Sequence, residues 1–168
     1  DTLIGGDGND TLIGGSGADS LDGGAGLDTA NYAASTAGVT VNLTGVAGVG
    51  GDAEGDTLTN IENVIGSALE DTLIGNASAN VLTGGGGEDT LTGAACADTL
   101  SGGAADDVLI GGADADALDG GSGTDTASYA GSSAAVNVDL DQGTSTGGDA
   151  AGDTHTNIEN LIGSDHDD

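Results

Sequence analysis

Carboxylates recur along this chain at a fixed distance, and glycines lead up to each of them. Asp10, Asp19 and Asp28 stand nine residues apart. Asp71, Asp89, Asp98, Asp107, Asp116 and Asp125 keep the same spacing, with Asn80 filling one slot among them. Each closes a six-residue stretch that tends to the form G-G-x-G-x-D. Acidic oxygens beside glycine carbonyls make a donor set of oxygen only. Such donors suit a hard cation that takes six to eight oxygens in flexible geometry, which favours calcium over magnesium or zinc. Bond-making chemistry has no comparable support: Lys and Arg are absent, there are one Cys and two His, and no nucleophile–base set emerges. The expectation is a non-enzymatic protein with no small-molecule substrate.

The charge balance points the same way. Twenty-nine Asp and Glu against no Lys or Arg give a formal net charge of −29 over 168 residues. Phosphate neutralisation requires basic side chains, so a nucleic-acid partner is excluded. Anionic lipids would be repelled, and no apolar run approaches the roughly 20 residues of a membrane span. Few large aliphatics at such a charge, with 35 glycines, would ordinarily mean disorder. With no Met and a repeat pattern already running at Asp1 and Asp168, the sequence reads as an internal piece of something longer.

Periodicity overrides the disorder reading. A shift of 97 residues aligns the chain with itself without gaps: GLDTANYA (26–33) meets GTDTASYA (123–130), and GDTLTNIENVIGS (55–67) meets GDTHTNIENLIGS (152–164). Within that unit runs a period of nine. GGDGNDTLI (5–13), GGSGADSLD (14–22) and GGAGLDTAN (23–31) are back to back, and seven more nonamers fill 66–128. The expected organisation is the end of one block (1–31), a spacer (32–65), a seven-repeat block (66–128), a second spacer (129–162) and the start of a third block (163–168).

Each nonamer reads as a six-residue loop followed by a three-residue strand. The large aliphatic at position 8 (Leu12, Leu21, Leu73, Leu82, Leu91, Leu100, Leu109, Leu118) points inward, and its neighbours point out. So short a strand must stack on copies of itself in a parallel ladder. Stacking about 4.8 Å apart brings position-6 carboxylates of adjacent coils within roughly 5 Å, at about 3 kcal/mol per pair for an effective dielectric of 20. Burying one leucine returns only about 1.5–3 kcal/mol. A cation between the carboxylates resolves the conflict.

The tandem GGDGNDTLI and GGSGADSLD resemble the calcium-binding nonapeptides of RTX (repeats-in-toxin) proteins. That resemblance implies an all-β, right-handed parallel β-roll, a β-solenoid with two nonamers per turn, interrupted here by β-rich spacers. It also implies ions held between loops 18 residues apart. Carbonyls of positions 2 and 4 and the position-6 carboxylate come from one loop; positions 1, 3 and 6 come from the loop one turn on. Carried over, one site is Gly6, Gly8 and Asp10 with Gly23, Ala25 and Asp28. A second is Gly85, Gly87 and Asp89 with Gly102, Ala104 and Asp107, and a third is Gly103, Ala105 and Asp107 with Gly120, Ser122 and Asp125. Gly84, Gly86 and Asp89 would face Asp71; Gly111, Ala113 and Asp116 would face Asp98. Ser16 and Asp19 belong to the loop at 14, and Asp168 to the loop at 163. About five calcium ions per complete block would nearly neutralise its eleven acids. The slot at Asn80 should bind weakest, and the loops at 5, 14, 23, 84 and 120 best. Leu69, Ser78, Cys96, Ala105 and Asp114 occupy the glycine slot at position 4, where strain is expected.

In the spacers, GVTVNL (38–43) and AVNVDL (135–140) alternate as strands with one buried face do. GDAEGDTLT (51–59) re-enters the nonamer frame with Asp56 at position 6 and Leu58 at position 8. Ile61 and either Val64 or Ile65 should follow inward. Asp52, Glu54 and Asp56, with Asp149 and Asp153 in the second copy, form either a further calcium site or a solvated acidic turn. Tyr32 and Tyr129 should fill the end of the leucine column. Cys96 reads as an unpaired small residue in a glycine slot in preference to a cross-link to another chain, and His155 and His166 as chance replacements of Leu58 and Leu69.

Two functional classes fit. One is a calcium-folded structural segment of a secreted cell-surface protein, such as an adhesin stalk, an S-layer component or a filament that associates with copies of itself. The other is a secretion and folding module of an RTX toxin or exoenzyme. The long superrepeat favours the first, because an extended array supplies length.

Overall fold

The computed structural model describes residues 1–168. It is all-β, with two 3₁₀ turns and no α-helix, so no helix is long and apolar enough to cross a membrane. In chain order the strands are β1 (Thr2–Asp7), β2 (Thr11–Leu12), β3 (Ser20–Ala25), β4 (Thr29–Asn31), β5 (Thr40–Asn42), β6 (Val46–Val49), β7 (Thr57–Thr59), β8 (Asn63–Ile65), β9 (Thr72–Ile74) and β10 (Val81–Gly86). There follow β11 (Thr90–Ala94), β12 (Thr99–Ala104), β13 (Val108–Gly112), β14 (Ala117–Ser122), β15 (Thr126–Ser128), β16 (Asn137–Asp139), β17 (Thr144–Thr146), β18 (Thr154–Thr156) and β19 (Asn160–Ile162).

Successive repeats alternate between two faces, as a parallel β-roll requires. One face is the seven-stranded sheet β18-β14-β12-β10-β8-β4-β2. The other holds β1-β3-β7 and the sheet β19-β15-β13-β11-β9-β5-β6. Register is strict, with Leu82↔Leu100↔Leu118 on one face and Leu73↔Leu91↔Leu109 on the other. These leucines form one buried column: Leu73, Leu82, Leu91, Leu100 and Leu109 have no exposed surface. The short aliphatic core follows from having one inward side chain per nonamer, which leaves the two faces close together.

Several strands are longer than three residues. In β10, β12 and β14 pairing continues into positions 1–3 of the next repeat (Gly85↔Gly103↔Gly121), because glycines there let the parallel chains stay in contact through the start of the loop.

On one face the first spacer leaves the ladder unbroken. β4 pairs directly with β8, and β8 with β10. Leu58 pairs with Leu21 in register, and Val64 rather than Ile65 turns inward. On the opposite face the spacer adds a β5–β6 antiparallel hairpin. Its first strand pairs with β9 (Val41↔Leu73). Gly48 N–H donates to Asp56 O at 2.9 Å and ties the second strand to the segment leading into β7. Val39 and Val41 bury the inner side of this hairpin. The second spacer forms the matching hairpin β16–β17.

Candidate metal centre

Stacked loops place the position-6 aspartates in two columns, one at each edge of the roll. In one column the backbone N–H of Asp71 donates to Asp89 Oδ1, that of Asp89 to Asp107 Oδ1, and that of Asp107 to Asp125 Oδ1, each at 2.8 Å. In the other, Asn80 N–H donates to Asp98 Oδ1 at 2.7 Å, and Asp98 N–H to Asp116 Oδ1 at 2.8 Å. Asp10 N–H donates likewise to Asp28 Oδ1. One carboxylate oxygen therefore orders the ladder, and the second is left over.

That second oxygen identifies the metal-facing positions. Oδ2 of Asp10, Asp19, Asp28, Asp89, Asp98, Asp107, Asp116 and Asp125 is buried without any hydrogen-bond partner. A buried unpaired carboxylate oxygen is expensive, so eight in one small protein imply a missing cationic partner. The position-1 glycines show where it belongs. A Cβ at Gly84 would lie within 3 Å of both Asp89 Oδ2 and the Gly102 carbonyl oxygen. Gly93 is crowded by Asp98 Oδ2 and Gly111 O, Gly102 by Asp107 Oδ2 and Gly120 O, and Gly5 by Asp10 Oδ2 and Gly23 O. Carboxylate and carbonyl oxygens from loops 18 residues apart thus converge on one point, kept open because position 1 has no side chain. No three His, Cys, Asp or Glu side chains meet anywhere, so carbonyls must supply much of any coordination, a chemistry suited to calcium.

Burial pushes Asp89 and Asp116 up to about 7 and Asp98 and Asp107 to about 6, against the lowering effect of the backbone hydrogen bonds they accept. Without a cation Asp89 and Asp116 are about half protonated at neutral pH, and Asp98 and Asp107 take up protons about one pH unit lower.

The model of the RTX calcium-binding nonapeptide repeat (4 copies) matches residues 1–30, 65–95 and 97–127. The chain belongs to this RTX family. Its repeats bind calcium, and RTX repeats occur generally in secreted bacterial proteins. No curated relative matches the chain. The residues present fit the ion: eight orphaned oxygens face glycine-lined gaps. When bound, calcium supplies the positive charge that lets neighbouring carboxylates stay ionised.

Several residues expected as ligands are occupied otherwise. Asp71 Oδ2 accepts Ser67 N–H at 2.5 Å, and its Oδ1 accepts Val39 N–H at 2.7 Å. Asn80 Oδ1 accepts Asn76 N–H at 2.8 Å, and its amide donates to Glu62 O at 2.7 Å. Asp168 receives Ser164 N–H and Val136 N–H. In these loops a polar residue at position 2 closes the turn on itself, and Leu69 and Ser78 avoid the positive φ taken by Cys96, Ala105 and Asp114. Their position-6 side chains are satisfied without metal.

Asp52, Glu54 and Asp56 do not converge. Glu54 Oε2 turns back to Gly50 N–H. Asp56 is buried and accepts Asp19 N–H at 2.8 Å and the Tyr32 hydroxyl at 3.1 Å. In the second copy Asp153 accepts Asp116 N–H and the Tyr129 hydroxyl, while Asp149 N–H caps on Ser132 Oγ. Tyr32 and Tyr129 lie in the core as expected, and their hydroxyls satisfy the carboxylate oxygen that elsewhere is orphaned. Ser16 is exposed, and the atoms nearest a Cβ at Gly14, in the same loop, belong to Asp19, Oδ2 first. His155 is more than a passive replacement of Leu58. It bridges Tyr129 Oη (2.7 Å) and Ser145 Oγ (3.2 Å), and burial holds its pKa below the ordinary histidine value. Cys96 is free and exposed.

Proposed function

We propose that this chain is a calcium-folded structural segment of a secreted surface protein, a stalk, S-layer component or filament, with blocks at 1–31, 66–128 and 163–168 joined by spacers at 32–65 and 129–162. It performs no catalysis; its work is mechanical. The observation that carries this reading is the direct β4-β8-β10 bonding through the first spacer, which makes successive 97-residue units one continuous roll. The leucine column likewise passes the spacer, with Val64 fully buried where β10 covers it.

Eight roll strands (β4 and β7 to β13) lie between β3 and its counterpart β14, an even number, so with strict alternation the second copy of each roll strand lies on the opposite face. The hairpin β5–β6 widens one face, and its counterpart β16–β17 stands as a two-stranded sheet of its own. Within the seven-repeat block the orphaned oxygens support ions in the 84/102, 93/111 and 102/120 gaps, and the self-closed loops at 66 and 75 need none.

Constructing tandem chains of two, three and four units and measuring them by small-angle scattering in calcium tests this. Each added unit should lengthen the particle by about 20–30 Å, from four and a half turns at about 4.8 Å each plus the hairpin. Added units that leave the maximum dimension unchanged would refute a rod.

A further inference from the structure

Nothing in the nonapeptide pattern covers residues 60–62 or 157–159, which lie outside the stretches matched by the family. Yet the last nonamer of each block is completed by these residues. Asp28 is fully buried with Oδ2 unpartnered. Its N–H donates to Glu62 Oε2 at 2.9 Å, the place an aspartate Oδ1 holds in every regular gap. A Cβ at Gly23 would collide with Asn60 O and Asp28 Oδ2, as one at Gly84 would with Gly102 O and Asp89 Oδ2.

The second copy repeats each feature. Asp125 is fully buried with Oδ2 unpartnered, and its N–H donates to Glu159 Oε2 at 2.8 Å. Gly120 is crowded by Asn157 O and Asp125 Oδ2. In a regular loop the crowding carbonyl and the carboxylate are five residues apart; here they are two apart. Asn60 and Asn157 make up the difference. Both take φ of 51°, a left-handed turn that asparagine tolerates, and each is held by its amide to Asp22 or Asp119 Oδ1 at 2.8 Å. The shortened turn brings the carbonyl round, and the extra methylene of glutamate restores the reach an aspartate would lack.

We propose that each spacer junction is itself a calcium site, formed by Asp28 with Asn60 O and Glu62, and by Asp125 with Asn157 O and Glu159. The proposal rests on the calcium reading of the repeats and extends it to residues that the nonapeptide pattern does not include. Functionally, the ion locks each spacer's return strand to the preceding block, on the edge of the roll opposite the Tyr32–Asp56 contact.

Native mass spectrometry of the whole chain at saturating calcium tests it, comparing wild type with E62Q, E159Q, the double variant and D107N. Glutamine keeps an oxygen for the Asp28 or Asp125 N–H, so the fold is preserved while the charge is removed. Each single variant should lose one ion and the double variant two. A double variant carrying the wild-type number, while D107N loses ions, overturns the junction sites and leaves the calcium reading intact. A wild type binding no calcium overturns the calcium reading itself. Should the double variant fail to fold by circular dichroism, anomalous scattering from wild-type crystals grown in strontium decides. A peak between Glu62, Asp28 and Asn60 O is expected, and its absence there alongside peaks in regular gaps refutes the proposal.

Discussion

Replacing Gly102 with alanine isolates the cradle from every other role a glycine plays. Its backbone lies outside the left-handed region, so alanine adds no conformational strain. The new methyl would instead sit within 3 Å of Asp107 Oδ2, Asp107 Cγ and Gly120 O. Ordinary Cβ contacts begin at 3.4 Å, so the carboxylate or the carbonyl must retreat by about an ångström. Overpacking of this kind costs about 1–3 kcal/mol, which corresponds to roughly 5- to 150-fold in affinity at 1.4 kcal/mol per tenfold. Isothermal calorimetry should show one calcium site weakened by that factor. Two controls bracket the result. Gly131 has open space and an unremarkable φ, so Gly131→Ala should bind as wild type does. Gly8 has open space but φ of +112°, so Gly8→Ala should cost about 1–2 kcal/mol of fold stability while retaining its ion. Wild-type calcium binding by Gly102→Ala, or equal damage from Gly131→Ala, would refute the claim that position 1 is kept bare for oxygen ligands.

Leu100→Ala removes a fully buried member of the column and should cost about 2–5 kcal/mol, read as a lower melting temperature in excess calcium. Tyr32→Phe leaves Asp56 Oδ2 buried without its hydroxyl donor and should cost about 1–3 kcal/mol with no change in ion number; a lost ion would mean the tyrosine guards a metal site. Acidity provides a further check. Asp89 and Asp116 rise to about 7 and Asp98 and Asp107 to about 6, from 3.8, through burial. The metal-free fold therefore holds protons that the unfolded chain releases, and its stability is greatest below about pH 4 and lost as pH climbs through 6–7. Calcium competes for the same oxygens, so its affinity should rise from pH 5 to 7.5; a flat midpoint over that range would contradict the burial of these groups.

The sequence made the roll legible because a strict nine-residue frame has one structural solution. Leucine at position 8 must face inward, and Asp56 with Leu58 falls in the same frame. Where residues left the frame, pattern reading failed. Glu62 and Asn60 are two apart instead of five, so nothing marked them as ligands, although T-N-I-E-N stands unchanged at 59–63 and 156–160. Asp71 and Asp168 keep the frame, but their Oδ2 accepts the backbone N–H of Ser67 or Ser164 as the loop turns back on itself, and the serine hydroxyl donates to Oδ1. The hydroxyls of Tyr32 and Tyr129 reach Asp56 and Asp153 only through a spacer fold that local sequence does not encode. The antiparallel partners β6 and β17 are likewise set by the spacer fold rather than by a local pattern. Both are short, and β17 is built of small polar residues.

The most direct test follows one calcium titration of the metal-free chain at neutral pH with three readouts at once: bound ions, circular dichroism and radius of gyration. Ion loading, strand formation and compaction should share a single midpoint. Equal strand content and dimensions in chelator and in calcium, or full ion loading of a chain that stays expanded, would contradict the coupling of metal to fold.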